Sequence, residues 1–155
     1  MRTTGRLTPT DPDAARETYQ ELGPTAQVLV REVTKALSFD REEYDERVTS
    51  ETVETARDAL FASLLAVQIG SDEEFESWAD QFDGPVTVAG SDSVDRVVWH
   101  AFDGEAVAAT FQQEEQAAIS TLRRQAFGRL YRPLFYEDEP DGDVEPDRES
   151  EPASN

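Results

Sequence analysis

The chain has 155 residues, 34 of them Asp or Glu against 14 Lys and Arg, with Lys35 the single lysine, and its formal charge is -20. Without any cysteine, disulfides, thiolate nucleophiles and Cys-ligated zinc or iron-sulfur centres are excluded. The amino terminus, Met1-Arg-Thr-Thr-Gly-Arg-Leu7, lacks the apolar core of a secretion signal, and the longest apolar stretch, Ala59 to Val67, contains Ser63 and is too short to cross a bilayer, so a cytoplasmic protein is expected.

Residues 1–10 suit either an extended arm or an edge strand. Asp11-Pro12-Asp13 then supplies an N-cap, a proline at the first helical position and an acid in the first turn, and Gly23-Pro24 ends that helix after Leu22. From Thr25 to about Phe39, the residues Ala26, Leu29, Val30, Val33, Ala36 and Leu37 share one face, and Arg31, Thr34, Lys35 and Ser38 sit opposite, the pattern of an amphipathic helix. Asp40-Arg41-Glu42-Glu43 resembles a capping box with aspartate in the cap role and opens a short charged helix to Arg47 or Val48. Ser50 caps a fourth helix, Glu51 to Ile69, whose stripe includes Val53, Leu60, Phe61, Leu64 and Val67, with Gly70 placed to end it in a left-handed turn. Ser71-Asp72-Glu73-Glu74 is a Ser-x-x-Glu capping box, followed by Phe75, Trp78, Ala79 and Phe82 at helical spacing.

After Gly84-Pro85 the period changes to two. Val86-Thr87-Val88 alternates, Arg96 to Phe102 is rich in Val and aromatics, and Glu105 to Phe111 follows across Asp103-Gly104, the preferred two-residue turn of a hairpin. That turn sets Phe102 opposite Glu105, His100 opposite Val107, Val98 opposite Ala109 and Trp99 opposite Ala108, leaving both faces largely apolar. A last helix runs from about Gln113 to Arg132 and stops before Pro133. From Glu137 onward nine acids, one arginine and three prolines leave nothing to bury. The expectation is an α+β domain over residues 1–136, in which several amphipathic helices pack with a small three-stranded, mainly antiparallel sheet, and a disordered acidic tail over 137–155.

Arg123, Arg124, Arg129 and Arg132 lie in a span free of acids, Gln116 to Tyr136, which raises a nucleic-acid or phosphate reading. At about 100° per residue they spread over roughly 240° of the helix, so no single basic stripe forms. Arg123 falls inside the apolar stripe of Ile119, Leu122, Ala126, Phe127 and Leu130, where pairing with a carboxylate on a neighbouring helix is expected. Arg57 lies the same way among Val53, Leu60, Phe61 and Leu64, with its stem buried along the seam. His100, the only histidine, sits beside Trp99 in an apolar strand; a satisfied strand histidine is the expectation, and a general base oriented by a carboxylate the alternative. Acidic residues are too numerous to mark a metal site, no EF-hand spacing occurs, and neither metal nor cofactor is expected. The two apolar faces around Val98 and Trp99 call for cover by helices or by a partner.

Three segments, Leu22-Gly-Pro-Thr-Ala-Gln-Val-Leu-Val-Arg-Glu-Val33, Glu54-Thr-Ala-Arg-Asp-Ala-Leu-Phe-Ala-Ser-Leu-Leu65 and Thr121-Leu-Arg-Arg-Gln-Ala-Phe-Gly-Arg-Leu-Tyr-Arg132, resemble a small haloarchaeal family known only as a domain of unknown function. The resemblance spans roughly residues 2–132 and implies a salt-loving archaeal origin, with no activity, cofactor or catalytic residue attached. Composition points the same way, because at ~1 M salt the Debye length falls to about 3 Å and screens the self-repulsion of such a chain, so high salt is expected for folding. The functional expectation is a non-catalytic interaction or regulatory protein with a protein partner or a second copy, meeting it through the sheet and the last helix. The alternatives are a nucleic-acid-associated regulator using Arg124, Arg129 and Arg132, and a small-molecule enzyme using His100 with a carboxylate. Arg57, Trp99, His100, Arg123, Arg124, Arg129 and Arg132 are the candidate binding residues.

Overall fold

Asp11 caps the first helix as its position predicts. In the computed structural model, which describes residues 1–37, 42, 46, 48–91 and 94–136, its Oδ1 accepts the Ala14 N–H at 2.8 Å and opens α1 (Pro12–Glu21). Leu22 joins α1 directly to α2 (Gly23–Ala36), so Gly23-Pro24 ends one helix and also opens the next, where a proline N–H is not needed. Thr49, one residue before the expected cap, starts α3 (Ser50–Leu64): its Oγ1 accepts the Thr52 N–H at 3.2 Å.

That helix stops at Leu64, five residues before the expected end at Ile69. Val67 and Ile69 belong instead to β2 (Val67–Ser71), which lies between β1 (Arg2–Thr4) and β4 (Arg96–Phe102). A short, wholly apolar run reads equally as buried strand or buried helix, and the sheet claims it here. Gly70 is therefore no helix cap. A Cβ there would stand 3.2 Å from Cη2 of Trp99 and 2.8 Å from the Glu74 carboxylate, so the missing side chain makes room for the indole. Ser71 and Glu74 form the expected capping box of α4 (Asp72–Gln81), with the Glu74 N–H to Ser71 Oγ at 3.1 Å and the Ser71 N–H to Glu74 Oε1 at 2.9 Å.

β3 (Val86–Ala89) and β5 (Glu105–Phe111) complete a sheet of order β1-β2-β4-β5-β3. The β4–β5 hairpin has the expected register, including His100–Val107 and Trp99–Ala108, across Asp103 and Gly104 at φ 53° and 82°. Only β3 runs parallel to its neighbour. The sheet is thus five-stranded and mixed, not three-stranded and mainly antiparallel. One added strand comes from the amino terminus and the other from the run first assigned to a helix; β3 joins in parallel alongside β5.

Both sheet faces are covered within the chain. Val98, Phe102, Val107 and Phe111 pack under α1, α3 and the last helix, and Val97, Trp99 and Ala108 pack under Phe75, Trp78 and Ala79 of α4. The partner surface expected on the sheet is therefore occupied by the chain itself. Phe61 stands at the centre of the first layer, edge-on to Tyr131 at 5.0 Å and Phe135 at 5.1 Å; burying such a side chain contributes about 1.5–3 kcal/mol.

The expected single last helix is three pieces: α5 (Glu115–Ala126), a π-helical turn (Phe127–Tyr131) and α6 (Arg132–Phe135). Pro133 has no N–H for the Arg129 carbonyl and its ring would crowd that oxygen, which favours the widened turn before it. The charged helix expected over 40–48 lies largely outside the described residues, and the acidic tail expected from Glu137 lies wholly outside them.

Candidate functional site

The chain passes from α3 to β2 through Leu64, Leu65 and Ala66, where helix-end carbonyls need donors. The N–H groups of Arg6 and Leu7 serve Leu64 O at 2.9 and 2.8 Å, and Arg123 Nε serves Leu65 O at 2.9 Å. Ala66 O takes the fourth bond, from His100 Nδ1 at 2.6 Å. A carbonyl can only accept, so Nδ1 carries the proton, and Nε2 then accepts from Tyr131 Oη at 2.7 Å. Burial, with the nearby Arg123 charge, holds the His100 pKa below its ordinary value, and burial raises that of Tyr131. Both ring nitrogens of His100 are thereby engaged, and only 5% of the residue is exposed. Arg123 corrects one expectation: it bonds a backbone carbonyl at a helix C-terminus, where a cation is favoured, not a carboxylate.

A second cluster went unread in the sequence. Tyr19 Oη donates to Asp58 Oδ1 at 2.5 Å and Tyr136 Oη to Asp58 Oδ2 at 2.9 Å, with the two phenols 3.1 Å apart. Arg132 Nη1 is 3.6 Å from the same carboxylate, with its guanidinium 4.8 Å over the Tyr136 ring. Arg57 stacks its guanidinium 4.1 Å over Tyr19. Burial and bonding to Asp58 raise the pKa of Tyr19; burial, then Tyr19 and Asp58, raise that of Tyr136, so both phenols are held as neutral donors. Arg124 and Arg132 line a cleft of about 610 Å³ beside this cluster, but Glu51 and Glu54 line it too. Arg129 lies elsewhere, bonded through Nε to Glu105 at 2.8 Å beside the hairpin. Of the seven candidates, the structure brings His100 together with Arg123, and Arg57 with Arg132 around Asp58; no common basic face joins the arginines. One Asp among the thirteen acids of the helices carries no sequence signal, and the tyrosines that meet it are 117 residues apart.

Two further features border these clusters. Trp99, 1% exposed, lines a cavity of about 150 Å³ with Trp78, Gln68, Ala66 and Ala101. Between α2 and α3 runs a groove of about 370 Å³ whose lining includes Leu29, Val33 and Leu37 on one side and Thr52, Ala56 and Ala59 on the other. Among the described residues no group of three or more acidic or histidine side chains is placed to hold a metal ion, and no helix is long and apolar enough to cross a membrane.

Compared with known proteins, residues 6–132 match a family described as a family of unknown function (DUF5809). No curated protein and no solved structure matches the chain.

Proposed function

This chain belongs to that family, DUF5809, and from there we propose that it is a non-catalytic interaction protein of a salt-rich cytoplasm, pairing with a second copy of itself through α2 and α3. The observation that carries the reading is the groove between these helices. In a chain in which 31% of residues are charged, its lining among the described residues has no charged side chain. Leu29, Val33 and Leu37 are 42%, 48% and 60% exposed, at i, i+4 and i+8 along α2.

Self-pairing is supported by shape. Large side chains form a ridge on α2, and the small Thr52, Ala56 and Ala59 of α3 leave a furrow beside it. A two-fold axis can lay each ridge into the other copy's furrow, the arrangement an isologous contact needs. Two chains of charge -20 repel over long range, so association strengthens as salt rises and the Debye length shrinks. A phosphate-backbone binder does the opposite.

Sedimentation across a KCl series from ~0.2 M to ~3 M tests this. A dimer that gains population with salt, and is lost in Val33→Glu while circular dichroism keeps its helical signal, is expected. A monomer at every salt level, or a dimer indifferent to Val33→Glu, overturns it.

A further inference from the structure

Both faces of the sheet are covered, but its β3 edge is open. The Ala106 N–H bonds the Pro85 carbonyl at 3.0 Å, and with the parallel register Val86–Ala106 to Ala89–Ala109 this turns the N–H and C=O of Thr87 and Ala89 toward β5. By alternation, those of Val86 and Val88 point away from the sheet, where no described backbone group takes them up. Proteins blunt such an edge with a charge, a proline, a bulge or a very short strand. β1, at the opposite edge, has three residues and an arginine. β3 is Val86-Thr-Val-Ala89, in unbroken register and without charge.

The surroundings of this edge suit a further strand. Val88 is 48% exposed, and the other large apolar side chains so exposed among the described residues are Met1 and a set running along α2 to Leu37. It lies on the face where Val86 packs toward Phe75 of α4. On the other face, Thr87 borders a groove of about 330 Å³ lined also by Val107, Gln125, Gly128 and Arg129. A strand laid beside β3 at the ordinary spacing of about 4.8 Å sets alternate side chains over that groove and against Val88. Charge then selects the occupant. Gly84 lies against the Gly104 carbonyl, which brings the exposed Asp83 and Asp103 together at the start of β3. A cationic segment is favoured there over a second chain of charge -20 or the acidic residues that follow Tyr136.

We propose that β3 is a docking edge for an extended segment of a partner protein, antiparallel to it, with β-branched residues at alternate positions and arginine or lysine after them. One β-branched residue exchanges both main-chain bonds with Val88 and the next with Val86. The side chain between them enters the groove, and the basic residues reach Asp83 and Asp103. This edge is separate from the α2–α3 groove and stands or falls without it.

The probe is acetyl-Ser-Val-Thr-Val-Arg-Arg-amide, titrated into the full chain in ~1 M KCl and followed by heteronuclear NMR with amide exchange. In the free chain the Val86 and Val88 N–H are expected to exchange freely, while those of Thr87 and Ala89 are held. Peptide is expected to shift and protect the first two saturably below roughly 5 mM. N-methylation of both peptide valines abolishes the response, and N-methylation of its threonine, whose N–H points away from β3, leaves it. Val88→Pro removes an outward N–H and spares the β5 ladder, so it weakens binding about tenfold or more with the remaining spectrum folded. Glutamates in place of the two arginines weaken it as well. A flat titration, or an equal response to the doubly methylated peptide, the sign of charge attraction alone, overturns the proposal. So does unchanged affinity in Val88→Pro or with the glutamate peptide. Slow exchange of Val86 and Val88 in the free chain, the result if residues 137–155 or a second copy already hold the edge, overturns it too.

Discussion

Removing one oxygen from Tyr131 isolates the energetics of the α3–β2 junction. Tyr131→Phe keeps a ring that is fully buried, stacked on Phe102 at 4.4 Å and edge-on to Phe61 at 5.0 Å, so hydrocarbon packing is conserved. What disappears is the donor to His100 Nε2 at 2.7 Å. His100 is nearly sealed from solvent, and a buried acceptor left without a partner costs about 1–3 kcal/mol. For a chain of this length each kcal/mol lowers the midpoint of thermal unfolding by about 2–4 °C, so a fall of roughly 2–12 °C is expected. Calorimetry and urea unfolding in ~1 M KCl measure it. Combining Tyr131→Phe with His100→Phe gives a double-mutant cycle whose coupling energy should reach about 1 kcal/mol or more. A single variant within about 0.3 kcal/mol of the parent, or strict additivity in the cycle, would refute the assignment of this bond.

Two pH effects follow from the same interior. His100 stays neutral when folded, and its pKa is held below the ordinary 6.5, chiefly by burial. The unfolded chain therefore binds a proton that the folded one does not as pH drops below 6.5, and this part of the stability is lost toward acid. Between pH 6.5 and 5.5 the parent should lose more stability than His100→Gln in denaturant titrations, by at most about 1 kcal/mol; parallel curves would count against it. At the other limb, Tyr19, Tyr131 and Tyr136, three of the four tyrosines, are raised above the ordinary 10.0. Their contribution is complete below pH 10 and declines above it, as the unfolded chain releases protons first. Near-ultraviolet absorbance should show these three still protonated past pH 10 in the folded protein, with Tyr19 and Tyr136 released earlier in Asp58→Asn. Ionisation of all four together at the ordinary value, before unfolding, contradicts it.

Elements with a local signal were legible in the sequence. Asp11-Pro12, the Ser71–Glu74 box and Asp103-Gly104 each fix a short stretch through bonds between near neighbours, and the structure has them at those residues. The run from Leu65 to Ile69 was not, because apolar residues without polar interruption suit either period and the choice depends on a β4 edge some thirty residues away. The same limit applied to the sites. That Arg123 and His100 would be near the core was readable from their apolar neighbours. Their acceptors, two consecutive carbonyls at a helix end, depend on where that helix stops. Asp58 looked like any surface acid until Tyr19 and Tyr136 closed on it from opposite ends of the chain.

The π turn over Phe127–Tyr131 acts as a phase shifter. In uninterrupted α winding each residue advances about 100°, so Tyr131, nine positions after Leu122, would emerge about 180° from it. A π turn gives back close to one residue's rotation, and with it the Tyr131 hydroxyl comes round to the imidazole and Tyr136 to the carboxylate. Gly128, where an added Cβ would meet nothing within 4 Å, is the spare tooth in this gear. Excising it would restore ordinary winding with Tyr131 eight positions from Leu122, about 80° round, the facing that the π turn already gives. Winding the segment as plain α-helix with Gly128 kept would instead rotate both phenols off their partners together, so two clusters share one mechanical setting.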